Sequence, residues 1–163
     1  MEKKTKLIFL DVDGVLNCHS TKDRCHGYIG IDDEKVSLLK EITIATGAEI
    51  VLSSTWRHEW FKEPILKCEQ DHFANYLDSK MNKQEIVIID KTDDIDFFYR
   101  GLEIKAYLEQ MKERGIKVEK YIILDDEMYD FKERHLVSHL IQTSFLGKGL
   151  EQKHVRRAIK QLC

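Results

Sequence analysis

Proline occurs once and glycine eight times in this chain of 163 residues, so no Pro- or Gly-rich linker offers itself as a domain boundary. Internal repeats and low-complexity tracts are missing as well. No apolar run approaches the length of a membrane span, and the opening MEKKTK leads into a strand-like run without the hydrophobic region of a signal peptide. A cytoplasmic location is therefore expected. Cysteine is sparse, and without a secretion signal Cys18, Cys25, Cys68 and Cys163 are expected as reduced thiols. The spacing of Cys18-His19 and Cys25-His26 matches no common zinc module. Charge of one sign is also lacking: the net value of −3 predicts no polyanion partner by itself. The length suffices for one domain with a real core and is too short for two, so residues 1–163 are read as a single domain.

What is present is a regular alternation of apolar runs and amphipathic stretches. Lys6–Leu10, Glu49–Ser53, Glu85–Ile89 and Tyr121–Leu124 are short unbroken apolar runs, the mark of strands buried on both faces of a parallel sheet; His139–Thr143 is a weaker fifth. Between them, Val36, Leu39 and Ile42 line a helix that Asp32 caps and Gly47 stops. A further helix is expected over 64–79. Ile104, Tyr107, Leu108 and Met111 stripe one over 101–114, and Val155, Ala158, Ile159 and Leu162 stripe the last. Strands alternating with helices give an α/β fold: a Rossmann-like α/β/α sandwich on a mainly parallel five-stranded sheet. In such sheets ligands bind beyond the carboxyl ends of the strands.

Acidic residues stand at two of those ends. Asp11 and Asp13 follow the first strand, and Asp125 and Asp126 follow Tyr121–Leu124. Brought to one sheet edge, these carboxylates repel each other unless a cation joins them. Hard oxygen donors without His or Cys favour Mg²⁺, which keeps some waters and accepts phosphate oxygens as further ligands. Gly14 lets the chain turn sharply after Asp13 and bring backbone N–H groups toward an anion.

With these residues in hand, Leu-Asp11-Val-Asp13-Gly14-Val resembles the first signature of the haloacid dehalogenase (HAD) superfamily, mostly Mg²⁺-dependent phosphatases. Ser53 after Ile50-Val-Leu resembles the second, and Ile-Leu-Asp125-Asp126 with Asp130 resembles the acidic fourth. The third departs: the family's Lys is replaced by Arg100 at the start of its helix, with Lys105 further along as the other candidate. An Arg still neutralises phosphate but its fixed charge excludes proton chemistry. Ser53-Ser54-Thr55-Trp56-Arg57, Arg100-Gly-Leu-Glu-Ile-Lys-Ala-Tyr-Leu and Gly149-Leu150 are similar to the small HAD-type domains associated with RNA repair proteins.

The resemblance implies a phosphatase working in two steps. Asp11 attacks phosphorus, Asp13 serves as acid and then base, and Ser53 with Arg100 or Lys105 steadies the phosphoryl group. Gly14, Ser54 and Arg57 are the expected substrate contacts, and Asp11, Asp13 (through its backbone carbonyl), Asp125, Asp126 and Asp130 the expected Mg²⁺ ligands. Neither the stretch between Gly14 and Glu49 nor that between Arg57 and Arg100 holds a full cap domain. An uncapped, open site suits a macromolecular phosphate, on a phosphoprotein or a nucleic-acid end, with the Asn17–Gly30 loop as its rim. Trp56 is read as a core residue rather than a base-stacking platform. Lys148, Lys153, Arg156, Arg157 and Lys160 make the last helix basic, which reads as a solvated face or as a surface for the substrate. Two other classes compete: a phosphate-binding module without turnover, and a phosphorelay receiver. The second needs its acceptor Asp after the middle strand, whereas Glu49–Ser53 ends in serines.

Overall fold

The computed structural model describes residues 3–163. The first apolar run becomes strand β1 (Lys3–Leu10), whose side chains alternate between two cores: Leu7 and Phe9 point to one face of the sheet, Ile8 and Leu10 to the other. The loop that follows carries a hairpin that the sequence does not announce, β2 (Arg24–Cys25) and β3 (Tyr28–Ile29), turning through His26 and Gly27 at positive φ. Next come α1 (Asp33–Thr46) and β4 (Glu49–Leu52). Asp32 stands at the start of α1 as expected, but its carboxylate accepts from the Thr21 hydroxyl at 2.7 Å instead of capping the helix.

The helix expected over 64–79 is two pieces. A 3₁₀ segment, Pro64–Glu69, ends at an extended Gln70, and Asp71 then caps α2 (His72–Lys83) by accepting from the Ala74 N–H at 2.8 Å. The third strand is also displaced: Glu85 takes φ 55° in the turn out of α2, so β5 runs Ile88–Lys91. After it come α3 (Arg100–Glu113), β6 (Ile116–Asp125), β7 (Leu140–Gln142) and α4 (Gln152–Leu162).

All five strands of the main sheet are parallel, in the order β5-β4-β1-β6-β7. Helices α1, α2 and α4 cover the face of Ile8 and Leu10, and α3 with Phe131 and Leu136 covers the face of Leu7 and Phe9. The architecture is the expected α/β/α sandwich, and no large cap interrupts it. The chain leaves β1 over one face to reach β4 and arrives at β6 from the other, so the direction of winding reverses between β1 and β6. That is where an open parallel sheet parts to form a crevice.

The β2–β3 hairpin is fastened to α2. The Tyr76 hydroxyl donates to Asp23 at 2.7 Å and accepts from the Ile31 N–H at 2.9 Å, Lys80 pairs with Asp23, and His26 stacks on His72 at 3.7 Å. On α4, Arg157 donates to the Leu140 carbonyl at 3.0 Å and Lys153 pairs with Glu151 at 3.1 Å, so two of the five basic residues near the C-terminus are engaged locally. The four cysteines are free thiols, with Cys18 and Cys25 buried. Among the described residues no helix is long and apolar enough to cross a membrane.

Candidate active site

Backbone pairing carries the strands one residue past their ends and fixes the site. The Asp11 N–H donates to the Leu124 carbonyl at 2.9 Å, and the Ser53 N–H donates to the Leu10 carbonyl at 2.8 Å. Asp11, Ser53 and the Asp125-Asp126 pair therefore meet at one level of the carboxyl edge. Carboxylate oxygens of Asp11, Asp125 and Asp126 lie within 4.8 Å of one another. Arg100, first residue of α3, reaches across from the opposite layer. Its Nη1 lies 3.1 Å from Asp11, 3.4 Å from Asp125 and 2.5 Å from the Ser53 carbonyl, and its guanidinium rests on the Tyr129 ring at 4.7 Å. The structure thus places Arg100, and not Lys105, at the reactive edge. Lys105 is exposed further along α3, in a separate surface depression with Leu108 and Lys112.

Three carboxylates face one guanidinium, and the imbalance shows in their acidities. Burial pushes Asp11 up to about 6, against the pull of Arg100 and a hydrogen bond from Ser54. Asp125 is raised well above the carboxylate range by burial and by Asp11, and Asp126 is raised by burial and by Glu127. Burial opposes the charge of Arg100, but Asp11 and Asp125 outweigh it and hold it protonated. A compact, buried surplus of hard oxygen donors is what a Mg²⁺ ion requires. The Ser53 hydroxyl, buried and without a hydrogen-bond partner, is further poised for an oxygen-rich ligand. The residues present fit the metal.

Asp13 has a different setting. It is exposed, two residues beyond Asp11, and both its oxygens are held: Asn17 Nδ2 donates to one at 2.9 Å and Trp56 Nε1 to the other at 3.0 Å. Its carboxylate stands apart from the acidic cluster, so any contribution to a metal is left to its backbone carbonyl. Gly14 makes the turn at φ 79°, and a Cβ there would collide with the Asp126 carboxylate. The N–H of Gly14 itself donates to Asn17 Oδ1 at 2.8 Å and is not directed at the cleft.

Two further candidates are engaged by partners distant in sequence. Arg57 is buried and turned away from the acidic edge: its Nη2 pairs with Glu103 at 2.8 Å and Asp94 at 3.1 Å, and Nη1 donates to the Ser54 carbonyl at 3.3 Å. It locks the turn after β4 to α3 and lines neither of the clefts described below. Asp130 accepts from the Gly101 N–H at 2.6 Å, the Leu102 N–H at 3.1 Å and Arg134 at 3.2 Å. It caps α3 and steadies Arg100, while the absence of a Cβ on Gly101 gives its carboxylate room. Ser54 holds the same turn, accepting from the Trp56 N–H at 3.3 Å, and contacts Asp11 rather than open space.

A polar cleft of ≈520 Å³ opens over Asp11 between Arg100, Asp126 and Tyr129, with Phe97 and Leu146 at its mouth. The Asn17–Gly30 loop, expected as the rim of the site, lines not this cleft but an adjoining one, walled by Tyr28 and Ile29 of the hairpin. Asn17, which holds Asp13, and Tyr129, under Arg100, are the residues at the site that sequence reasoning passed over. A buried Asn following Val15-Leu16 carries a faint signal, since a polar side chain there needs partners; Tyr129 carries none.

Comparison with known proteins agrees with this geometry. A family described as the HAD domain in Swiss Army Knife RNA repair proteins matches residues 7–155. No curated protein and no solved structure matches.

Proposed function

This chain belongs to the HAD domains of Swiss Army Knife RNA repair proteins, and on that premise we propose that it is a Mg²⁺-dependent phosphatase that removes the terminal phosphate of a nucleic acid through an aspartyl-phosphate on Asp11. The observation that carries the reading is the split between two aspartates of one turn. Asp11 is buried against Arg100 inside the acidic cluster, and Asp13 is exposed and aimed by Asn17 and Trp56.

The split assigns the roles. A carboxylate oxygen of Asp11 attacks phosphorus in line; the bond to the leaving oxygen breaks, and that oxygen takes a proton from Asp13. Asp13, now ionised, takes a proton from the water that attacks the acyl phosphate, which frees inorganic phosphate and returns the Asp11 carboxylate. The Ser53 hydroxyl and the Arg100 guanidinium meet the charge spread over the phosphoryl oxygens. Asp11, Asp125 and Asp126 would hold Mg²⁺, whose charge offsets that of the phosphate and of the carboxylates themselves. Arg100 keeps its proton throughout, so its contribution is electrostatic alone.

The test is to incubate the protein with a phosphorylated oligonucleotide and Mg²⁺, quench with acid, and search for phosphate on Asp11. A hydroxylamine-labile phosphoenzyme, absent from Asp11→Asn and from reactions in chelator, is the expected result. Failure to turn over any phosphomonoester with Mg²⁺ present would leave a phosphate-binding module instead.

A further inference from the structure

Beside the polar cleft, and sharing Asp13, Thr55 and Phe145 with it, lies a second cleft of ≈550 Å³. Its walls come from three separate segments: Tyr28 from the hairpin, Trp56 from the turn after β4, and Phe73 from the first turn of α2. These rings pack edge to face. Trp56 and Phe73 stand 5.6 Å apart at 83°, and Tyr28 and Phe73 5.7 Å apart at 66°. Trp56 is half-buried: one part packs on the core, as its sequence position predicts, and another lines the cleft.

We propose that this aromatic cleft is a nucleobase subsite, which receives the base of the terminal nucleotide while its phosphate lies over Asp11. The inference rests on the phosphatase reading for the position of the phosphate. Its first support is connectivity. Asp13 is the acid for the leaving oxygen, and the aromatic cleft is the space on the far side of Asp13 from Asp11. A leaving group that passes Asp13 on that side enters it. The second support is chemistry. The walls offer ring faces, and the one polar atom of the Trp56 indole is already given to Asp13. No Lys or Arg lines the cleft, and Asp13, Glu59 and Asp71 place carboxylates around it. An acidic side chain or a phosphate would be repelled from the cleft itself, so the backbone of the strand lies outside it, whereas a neutral flat ring stacks well. Ring faces dominate the walls, with the hydroxyls of Tyr28 and Thr55 and the His58 ring as the polar groups beside them, and recognition mainly by stacking tolerates any base, as in single-strand binding.

The third support is rigidity. The hairpin that carries Tyr28 is bound to α2 through Asp23, Tyr76 and Lys80, so the cleft exists before the ligand arrives. Stacking against Trp56 would also press on the side chain that orients Asp13, so that occupancy of the cleft and placement of the acid share one residue.

The proposal is tested by binding a labelled oligoribonucleotide with a terminal phosphate to Asp11→Asn protein, beside the same strand with an abasic terminal residue. The base should tighten binding by about tenfold or more, and Tyr28→Ala and Phe73→Leu should each erase most of that difference. Tyr28 is exposed, so its replacement does not endanger the fold. Equal affinity for the two strands, or equal competition by a phosphopeptide, would overturn the subsite. Turnover assays with wild-type protein keep the two readings apart. Base-dependent binding without turnover would uphold the cleft and sink the phosphatase; turnover indifferent to the base would do the opposite.

Discussion

Arg57 and Arg100 are equally buried, each 4% exposed, and both lie near the carboxyl ends of neighbouring strands. Their surroundings divide them. Arg57 faces Glu103 and Asp94 with hydrogen bonds on both terminal nitrogens, an arrangement that joins two elements and leaves only its Nε without a partner. Arg100 faces Asp11 and Asp125 with Asp126 close behind, an arrangement short of positive charge. A buried guanidinium bound between two elements holds structure together; one set among surplus carboxylates leaves negative charge that a bound cation would balance.

The sharpest way to break this comparison is Arg100→Ala. Buried Asp11 and Asp125 would lose their counter-charge, so stability is expected to fall by about 3–5 kcal/mol and kcat by at least about a hundredfold. Urea melts and Mg²⁺-dependent turnover measure both, and kcat within fivefold of wild type would put Arg100 in the same class as Arg57. Arg57→Ala is expected to cost a similar roughly 3–5 kcal/mol with kcat per folded molecule nearly unchanged. Pairing Arg57→Met with Glu103→Gln should recover much of the stability. A double variant that is stable but inactive would return Arg57 to the substrate.

A pH series sharpens the contrast on the carboxylate side. Asp11 rises from 3.8 to about 6 on folding, so between those values the folded chain binds more protons than the unfolded one. Its contribution to metal-free stability is therefore greatest at low pH and declines as pH rises through about 6. Asp11→Asn removes the decline, so the variant's Tm should exceed that of wild type by several degrees at pH 7.5 and by little at pH 4.5. Mg²⁺ should narrow the gap at pH 7.5. A constant difference across the series would refute the placement of Asp11 in a repulsive cluster.

Smaller effects follow for the residues at the margin. Asp130→Ala is expected to lose about 1–2 kcal/mol as a helix cap while leaving the Mg²⁺ concentration for half-activity unchanged, whereas Asp126→Ala should raise that concentration about tenfold. If Asp130→Ala gave the larger shift, Asp130 would be a ligand after all. Lys105→Ala, on the exposed side of α3, should change stability by no more than about 0.5 kcal/mol and leave turnover intact.

Much of the fold was legible because its strands are buried on both faces, which demands unbroken apolar runs such as Leu7–Leu10 and Ile122–Leu124. The acidic edge was legible for a related reason: one Asp pair after a strand could be a turn, but two such pairs closing two buried runs point to a shared site. Other parts depend on partners that no local pattern reveals. The capping role of Asp130 and the ion pairs of Arg57 became apparent only once α3 was in place beside them. The β2–β3 hairpin has two residues per strand, too few for an alternation to register. The break at Gln70 rests on Asp71, whose capping competes with an otherwise plausible helix. Trp56 packs on the core as its sequence signal suggests, and that signal gives no hint of its second exposure toward the cleft.

The contact between Arg157 and β7 has a consequence for how molecules of this protein meet. The Thr143 N–H donates inward to Asp125, so by alternation along the strand the Leu140 carbonyl faces outward, at the open margin of the sheet. An unfilled carbonyl at such a margin invites a sixth strand from another chain. Here the guanidinium of Arg157 already fills it, and β7 is only three residues long. A charge on the last helix thus works as a guard against self-association, and Arg157→Ala should make the protein slower to refold cleanly and quicker to aggregate when concentrated.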